Sequence, residues 1–490
     1  MNLRKIRILL ATIALLAITL LFLDFSGTIS SSSAGIAKWQ FIPAIFAVHI
    51  PVIVILFFIT LIFGRIYCSI LCPLGIMQDL ISWCSTKGRK NRFAYRHSKI
   101  NLRLVILILF VISCLLGLSF VTTAIDPYSV FGRIVSQLLT PIYQGGNNSL
   151  AYLAKLFDSY AFYPVPIKIK SVVVLLIAMI SLLVIWFYAW KKGRGYCNTI
   201  CPVGTFLGLI TQYSLLKPRF NNQNCNSCGI CEKNCKASCL DAQKQKIDYT
   251  RCVVCFNCLQ NCPRQGIQYT LQYPQPKSQI TEPNQPRRGF ILLMLGLLTR
   301  SIAHAFESDG GLAPLKEKKA PTRLQKIIPP GAGNIRSFQR RCTGCQLCVT
   351  TCPNQVLKPT HSWQDFLQPA LSFDKGYCPL TCVRCSSVCP SGAIKPITTQ
   401  EKSATQIGYA VWRNDLCVVS TDQVNCDLCA HHCPTGAITM VQRFPENPRS
   451  SRIPVIDVNR CLGCGACEQY CPARPESAIY VEGIDTHRII

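Results

Sequence analysis

Long apolar stretches dominate the amino-terminal part of the chain, and they predict helices. A helix needs about 20 apolar residues to cross a bilayer, and four stretches reach or approach that length. They predict membrane-spanning helices at Ile6–Leu23, Phe41–Phe63, Leu102–Ala124 and Ser171–Trp190. Later segments are cysteine-dense and more polar. The pattern predicts a membrane all-α four-helix domain followed by polar, cysteine-rich domains.

Basic residues between the apolar stretches indicate the orientation of these helices. The loop Gly64–Asn101 carries seven Lys and Arg residues, whereas Asp24–Gln40 carries one. Lys191 and Lys192 directly follow the fourth stretch. Because basic loops stay in the cytoplasm, we expect a multi-pass protein of a bacterial inner membrane. Its amino terminus and the segments after the second and fourth spans should be cytoplasmic.

A twelve-residue repeat follows the second and fourth stretches. Gly64–Gly75 (GRIYCSILCPLG) recurs as Gly193–Gly204 (GRGYCNTICPVG), with seven identical positions. Each copy contains a Cys-x3-Cys-Pro motif, whose cysteines share one helical face if the helix continues. These cysteines are candidate ligands of a further metal or cluster, or they could dock a partner; the alternative is that they are small packing residues. They are Cys68, Cys72, Cys197 and Cys201.

The clearest chemical signal is the cysteine run C-x2-C-x2-C-x3-C, which occurs twice after the repeat. Three thiolates of such a run bind one [4Fe–4S] cluster, and the fourth binds the neighbouring cluster. We therefore expect two crossed ligand sets. They are Cys225, Cys228, Cys231 with Cys262, and Cys252, Cys255, Cys258 with Cys235. Lys236 replaces the proline that usually closes the first run.

Four further runs, each closed by proline, predict four more clusters. They could pair as neighbours along the chain, or as an outer pair enclosing an inner pair. The runs are Cys342, Cys345, Cys348, Cys352; Cys378, Cys382, Cys385, Cys389; Cys417, Cys426, Cys429, Cys433; and Cys461, Cys464, Cys467, Cys471.

Other uses of the 31 cysteines fit less well. Zinc sites use two separated pairs of ligands, and a disulfide framework does not repeat this spacing. The C-x-x-C-H motif of c-type haem is absent from the sequence. Six clusters take 24 cysteines and the Cys-x3-Cys-Pro motifs take four, so Cys84, Cys114 and Cys239 remain.

These signals divide the chain into four parts. We expect an all-α four-helix membrane domain at 1–205, a cytoplasmic two-cluster ferredoxin at 218–272, a linker at 273–335 and a four-cluster domain at 336–490. Both [4Fe–4S] domains are expected to have an α+β ferredoxin-like fold. Within the linker, 287–306 combines a twin arginine, an apolar run and an A-x-A triplet, which resembles an export signal. The last domain is therefore expected in the periplasm. The alternative is a chance arginine pair before a buried helix.

The net charge of +28 does not indicate nucleic-acid binding. Most of the excess flanks apolar segments, and no nucleic-acid-binding motif occurs in the sequence. Membrane topology explains the charge better.

Two polar residues near the predicted outer surface are candidates for a quinol site. His49 falls about a third of the way into the second stretch from its outer end, and Asp126 just past the outer end of the third, followed by Tyr128 and Arg133. Oxidation of a quinol releases two protons, so an acid–base group there would suit the reaction. The alternatives are a packing histidine and a helix-terminating Asp-Pro.

Residues 1–271 resemble the NapH/MauN-type membrane ferredoxins of periplasmic nitrate reductase systems. The resemblance rests on the spans, both Cys-x3-Cys-Pro loops, Asp126-Pro127-Tyr128-Ser129-Val130 and the trailing two-cluster domain. From about Arg287 the chain resembles the NapG/MauM-type exported four-cluster ferredoxins, in the twin arginine, Ile328-Pro329-Pro330-Gly331-Ala332 and the four runs. The chain would be a fusion of the two.

The resemblance implies a quinol dehydrogenase component. It would take electrons from the membrane quinone pool and pass them through about six [4Fe–4S] clusters to a periplasmic reductase or its cytochrome. One rival is a maturation or reactivation ferredoxin that supplies electrons for assembly of a redox enzyme. Another is a redox-responsive membrane regulator.

Overall fold

The computed structural model describes residues 3–24, 35–86, 93–158, 162–165, 171–221, 223–271, 318–362, 364–447 and 450–490. The predicted export signal at 287–306 lies outside these residues. The first part of the chain is helical, and a π-helical turn at Val135–Leu139 connects α8 to α9. The helices are α1 Leu3–Leu23, α2 Phe41–Phe46, α3 Ile50–Phe63, α4 Tyr67–Ile70, α5 Pro73–Thr86, α6 Ile100–Leu116, α7 Ser119–Ile125, α8 Pro127–Ile134, α9 Thr140–Leu156, α10 Val172–Lys192, α11 Gly195–Thr199 and α12 Pro202–Thr211.

Two of these helices, α1 and α10, are long and apolar enough to cross a membrane. Helices α3 and α6 are also apolar but shorter. All four present large apolar side chains that no other described part of the chain covers. Examples are Leu9, Ile13, Leu16, Val54, Phe58, Val105, Ile108, Leu109, Leu176, Ile180, Leu183 and Phe187.

Two of the predicted spans are broken, so the prediction of uninterrupted helices over Phe41–Phe63 and Leu102–Ala124 was wrong. The second breaks between α2 and α3, where Val48 has a positive φ of 55° and Pro51 occupies the first turn of α3. Proline is tolerated in the first turn of a helix, but inside a helix it lacks the N–H donor and clashes with the preceding turn, so α2 cannot continue through Pro51. The third breaks at Gly117, a left-handed helix cap. His49 consequently lies at the amino-terminal cap of α3 rather than inside a span.

Short helices fill the space between the four long ones. Every residue of α8 is buried, and α8 packs against α5 and α10. The apolar core of this helical domain also contains all four cysteines of the repeat. The repeat therefore lies inside the helical domain, in contact with several helices.

The two-cluster domain begins with β1 (Leu216–Phe220), which pairs antiparallel with β4 (Ile267–Leu271). Between them lie α13 (Ile230–Lys233), the short hairpin of β2 (Leu240–Asp241) and β3 (Lys246–Ile247), and α14 (Asn257–Gln260). Each helix starts inside a cysteine run. This is the predicted α+β arrangement.

The carboxy-terminal domain repeats the same local pattern twice. Antiparallel pairs form between β5 and β6, β8 and β9, and β7 and β10. Its elements are α15 Ile335–Arg341, α16 Leu347–Thr351, β5 Leu357–Pro359, β6 Pro369–Leu371, α17 Arg384–Val388, α18 Thr399–Ser403, β7 Thr405–Trp412, a 3-10 turn Asn414–Leu416, α19 Val418–Thr421, α20 Leu428–His431, β8 Ile438–Gln442, β9 Arg452–Ile456, α21 Ala466–Tyr470 and β10 Ile479–Ile489.

The end of the predicted linker belongs to this domain. Ile327 and Ile328 are fully buried in its core, and Ile327 bridges to Leu371. Arg323 forms an ion pair of 2.5 Å with buried Glu468. Residues 318–335 are therefore part of the folded domain, because their apolar side chains complete its core.

The two cysteine-rich domains contact opposite ends of the helical domain. Helix α1 places Arg4 beside Gln260 of the two-cluster domain, and its later part packs against α16 of the carboxy-terminal domain. Helices α3, α6 and α10 likewise contact the two-cluster domain at one end and the carboxy-terminal domain at the other. The pairs are Phe63–Tyr269, Arg103–Thr250 and Gly193–Lys236 at one end, and Ala47–Gly392, Gly117–Arg340 and Ser171–His361 at the other.

Candidate metal centres

The first cysteine set of the two-cluster domain lines a cavity of about 140 Å³. Cys225, Cys228 and Cys231 of the first run meet Cys262 of the second run there. The structure thus brings together the crossed set that the sequence predicts. Local chain geometry explains the crossing, because the last cysteine of each run lies beyond a short helix that turns it away.

The second crossed set lines a neighbouring, tighter cavity. Cys252, Cys255 and Cys258 meet Cys235 there. A fifth thiol, Cys239, lines the same cavity, and its Sγ lies 3.6 Å from the Sγ of Cys235. Cys239, a leftover cysteine in the sequence, is therefore buried beside a predicted ligand.

Lys236, which replaces the usual proline, has a structural role. Its Nζ lies 3.5 Å from the carboxylate of Asp79 in α5. Arg194 donates two hydrogen bonds of 2.8 and 2.9 Å to the same carboxylate, and Arg7 of α1 donates one of 2.8 Å. These cations, Arg194 foremost, outweigh burial and hold the pKa of Asp79 well below its usual range. Asp79 joins the two-cluster domain to the helical domain.

The four later runs come together as neighbours along the chain. Cys352 of the first run lines a cavity with Cys378, Cys382 and Cys385 of the second. Cys389 in turn interacts electrostatically with the cysteines of the first run. Those cysteines are Cys342, Cys345 and Cys348.

The third and fourth runs are paired in the same crossed manner. Cys433 interacts with Cys461 and Cys464, and Cys471 interacts with Cys429. The sequence left two pairings open, and the structure shows the pairing of neighbours. Cys429 interacts with Cys417 and Cys426 of its own run and with Cys471, whereas Cys433 interacts with Cys461 and Cys464.

One functional group was missed by the sequence reasoning. Lys402 is 4% exposed, and its Nζ donates to the Sγ of Cys378 at 3.2 Å. It also donates to the carbonyls of Pro379 and Cys382. A cation there would stabilise a thiolate. Lys402 lies 24 residues after Cys378, outside the cysteine runs, so the sequence gives no local signal for their contact.

The four cysteines of the repeat form a buried quartet. Cys68, Cys72, Cys197 and Cys201 are each at most 4% exposed. Cys72 interacts electrostatically with Cys197 and Cys68, and Cys201 with the other three. Burial, followed by this mutual repulsion, raises the pKa of the Cys72 and Cys201 thiols. A positively charged metal group would favour the thiolate forms.

Two fully buried arginines cross between the copies of the repeat. Arg65 of the first copy donates to the carbonyl of Cys197 at 3.4 Å and lies 3.9 Å from the Sγ of Cys68. Arg194, at the equivalent position of the second copy, donates to the carbonyl of Cys68 at 2.6 Å. Gln78 donates to the Sγ of Cys197 at 3.1 Å. The repeat therefore builds a pseudo-symmetric site that donates hydrogen bonds around four thiols.

The candidate quinol residues lie at the end that faces the carboxy-terminal domain. Asp126 is buried and caps α8 by accepting hydrogen bonds from the backbone N–H groups of Tyr128 and Ser129. Arg133 interacts with Asp126, Tyr196 and Cys345. None of its three guanidinium nitrogens has a hydrogen-bond partner within the described part of the chain. The Tyr128 hydroxyl also lacks one there.

His49 is exposed at the same end of the helical domain. His49 is two residues after Ala47, which lies against Gly392. Gly392 is three residues after Cys389. No described contact joins His49 to Asp126. Ala47 thus lies near the second of the later runs, whereas Asp126 interacts with Cys345 of the first.

The donor sets fit iron–sulfur clusters better than single ions. Within the described residues, no three His, Cys, Asp or Glu side chains converge closely enough to hold one metal ion. The cysteines instead surround cavities, as ligands of a larger metal–sulfur group would. Each cysteine set of the two-cluster domain and of the carboxy-terminal domain supplies four thiols, the number that a [4Fe–4S] cluster takes.

Comparisons with known proteins agree with this chemistry. A family described as "4Fe-4S binding domain" matches residues 45–92 and 172–223, which contain the quartet. A family described as "4Fe-4S dicluster domain" matches 341–393, which contains the first two of the four later runs, and 424–474, which contains the other two except Cys417. No solved structure matches the chain.

Curated relatives are ferredoxin-type proteins. The methylamine utilization ferredoxin-type protein MauM of Methylobacillus flagellatus is 33% identical over 195 residues, 39% of this chain and 82% of the relative. NapG of Haemophilus influenzae is 27% identical over 32% of this chain and 59% of its own length. NapF of Escherichia coli is 29% identical over 33% of this chain and 87% of its own length. The chain therefore belongs to the MauM family of ferredoxin-type electron-transfer proteins with 4Fe-4S domains.

Proposed function

We propose that this protein is a multi-pass protein of a bacterial inner membrane that oxidises quinol and delivers electrons to a periplasmic reductase or its cytochrome. The two-cluster domain would lie in the cytoplasm and the four-cluster domain in the periplasm. The observation that carries the proposal is the contact of the two domains with opposite ends of the same four helices.

Helix length and surface chemistry support the membrane location. With a rise of about 1.5 Å per residue, α1 and α10 each span roughly the 30 Å of a bilayer core. Large apolar side chains cover their outward faces, and such a continuous apolar surface marks contact with lipid or another protein. Arg4 and Arg7 lie at the end that contacts the two-cluster domain. That end would be cytoplasmic by the positive-inside rule.

The cysteine sets would hold six [4Fe–4S] clusters, and the quartet would hold a further metal–sulfur group. When bound, such clusters accept and release single electrons. The chain contributes the thiolates, buries them from water and places cations near them. Lys402 beside Cys378 and Arg65 beside Cys68 are two such cations.

Quinol oxidation would occur near Asp126 and His49, beside the set of Cys342, Cys345, Cys348 and Cys389. The carbonyl of Cys345 lies against Gly132 of α8, where an added Cβ would be only 2.6 Å away. Asp126 could accept a proton as the electrons leave the quinol. The Tyr128 hydroxyl and the Arg133 guanidinium are buried and have no hydrogen-bond partner among the described residues, so a quinol oxygen could satisfy them.

Asp126→Asn should slow reduction by a menaquinol analogue about a hundredfold, because general-base catalysis typically contributes that much or more. Asparagine caps helices about as well as aspartate, so the fold should persist. The measurement is stopped-flow bleaching of the cluster absorbance of detergent-purified protein. His49→Gln is tested in parallel, and we expect a smaller decrease because His49 is exposed.

Dithionite provides the control for both variants, since it reduces clusters without a quinol site. Equal rates of quinol-dependent bleaching in wild type and Asp126→Asn would exclude Asp126 as the base. If no quinol reduces the wild-type protein while dithionite does, quinol oxidation is excluded. The maturation ferredoxin is then favoured.

Alkaline phosphatase joined to the full-length chain after Ile490 should be active, because that terminus lies in the domain proposed to be periplasmic. The same reporter placed before Met1 should be inactive. Enzyme activity in intact cells is the measurement, and immunoblotting controls for expression. Activity at neither terminus, with both fusions present, would place all cysteine sets on one side.

A further inference from the structure

We infer that the buried quartet connects the two sides of the protein, so that the chain conducts electrons through the bilayer between its inner and outer cysteine sets. The inference rests on the proposed membrane arrangement but not on quinol oxidation. A quinol dehydrogenase that only delivers electrons outward would not need a redox centre at the quartet, whereas a conductor across the bilayer would.

The inner connection runs through Arg65. Its guanidinium lies beside the Sγ of Cys68 and donates to the carbonyl of Thr250 at 3.1 Å. Thr250 is two residues before Cys252, and Arg65 also interacts electrostatically with Cys252. One side chain thus contacts the quartet and the loop that carries a ligand of the inner cluster.

A difference between the two repeat copies makes this contact possible. Asp79 follows the first copy, and the equivalent position after the second copy is Gly208. A Cβ at Gly208 would be 2.3 Å from the carbonyl of Thr250. The glycine therefore lets the loop of the two-cluster domain reach Arg65.

Both copies of the repeat contact the two-cluster domain. Gly64 and Gly193, which begin the two repeat copies, both have positive φ. A Cβ at Gly193 would be 2.5 Å from the carbonyl of Lys236, and one at Gly64 would be 3.1 Å from the side chain of Val254. The loops after Cys235 and Cys252 thus rest on equivalent positions of the repeat.

The outer connection begins at Tyr196, directly before Cys197. Its hydroxyl donates to the carbonyl of Ile125 at 3.1 Å, and Ile125 precedes Asp126. From there, α8 leads to Gly132, which lies against the carbonyl of Cys345. Tyr67, at the equivalent position of the first copy, also faces away from the inner domain and hydrogen-bonds to Gln40 at 3.1 Å.

Buried cations accompany this route. Arg133 is 1% exposed, and its guanidinium has no hydrogen-bond partner within the described residues, although it interacts electrostatically with Asp126, Tyr196 and Cys345. A buried charge without hydrogen bonds remains costly even when one carboxylate, here that of Asp126, is close enough to interact with it. Oxidised four-thiolate clusters carry a charge of roughly −2, so groups of this kind on either side would provide the compensation.

The transfer is a one-electron step in which no bond forms or breaks. A soluble low-potential one-electron carrier on the inner side is oxidised, and a one-electron acceptor protein on the outer side is reduced. Either direction uses the same residues. Electron tunnelling falls steeply with distance, so an intermediate centre between the two sides decides whether the path conducts.

Inverted membrane vesicles, whose cytoplasmic face points outward, test the inference when they come from a strain that makes no quinone. Dithionite crosses the bilayer poorly, so it reaches only the two-cluster domain directly, and no quinol can carry electrons past the quartet. Wild-type vesicles should lose all of the cluster absorbance that dithionite bleaches in detergent. The Cys72→Ser/Cys201→Ser double variant should lose only about one third, the share of two clusters in six. In detergent its six conventional clusters should all bleach.

Cys84→Ser is the matched control, since Cys84 is an exposed cysteine outside every set, and it should behave as wild type. Arg65→Gln keeps all thiols and should slow the crossing at least tenfold. Iron analysis of the double variant shows whether the six conventional sets remain filled. The inference fails if wild-type vesicles bleach by only one third. It also fails if the double variant bleaches completely.

Discussion

Cys262→Ala is expected to remove the cluster of the other run in the two-cluster domain, the one held by Cys225, Cys228 and Cys231. The structure places Cys262 in their cavity and not with its own run. Iron per chain should fall by about four atoms. The loss should be complete, because a cluster with three protein ligands is exposed to solvent at this open cavity.

Double variants show which cluster is lost. Cys262→Ala combined with Cys228→Ala should lose no more iron than either single variant, since both ligands hold the same cluster. Cys262→Ala combined with Cys255→Ala should lose about eight atoms. The measurement is iron per chain after anaerobic purification, with Cys84→Ser as the unchanged reference. The reverse pattern of losses would show that each run binds its own cluster.

The same logic applies to the carboxy-terminal domain. There Cys389 lies with Cys345 and Cys348, and Cys352 with Cys378. The spacing within a run could be read from the sequence because ligand spacing is local. The pairing of runs could not be read, because it depends on packing between segments far apart in the chain.

The quartet shows the same boundary of sequence reasoning. The repeat identified Cys68, Cys72, Cys197 and Cys201 as candidates, but only tertiary packing shows that the two copies face each other. The arginine at the second position of each copy was visible as a repeated residue. Its crossing to the opposite copy was not, since a contact between residues 65 and 197 has no local signal.

Local residues indicated the breaks in the predicted spans, but the length of the apolar stretches favoured uninterrupted helices. Pro51 and Gly117 both stand within long apolar stretches. In a soluble protein, proline and glycine at these positions would predict helix boundaries, whereas membrane helices tolerate both residues. Here Pro51 lies at the start of α3 and Gly117 at the end of α6, so each marks a break in a predicted span. This places His49 at a helix end, and it places the helix capped by Asp126 inside the core.

Asp79 was also visible in the sequence as the one acidic residue between Gly64 and Asn101. An acidic residue in a strongly basic loop suggests a structural partner. Its partners, Arg7, Arg194 and Lys236, come from three distant segments. The replacement of the usual proline by Lys236 therefore becomes understandable only in the folded chain.

Asp79→Asn should consequently lower the free energy of unfolding by about 3–5 kcal/mol, the usual cost of removing one partner from a buried ion pair. Three cations would then remain around a neutral amide. The folded-state pKa of Asp79 is held below its unfolded value, so its stabilisation is complete above about pH 4 and is lost only as the pH falls further. The deficit of the variant should therefore be constant across the neutral range.

Denaturant unfolding in detergent, followed by helical circular dichroism, measures the effect. Glu476→Gln is the matched control, because it removes an acid from a half-exposed pair with Arg413 and should cost at most about 1 kcal/mol. Lys236→Met should destabilise the wild type but cost less, or even restore stability, in the Asp79→Asn background, where it removes an uncompensated cation. Additive losses from Asp79→Asn and Lys236→Met would show that the two side chains do not interact. The carboxylate would then not be what fastens the two-cluster domain to the helices.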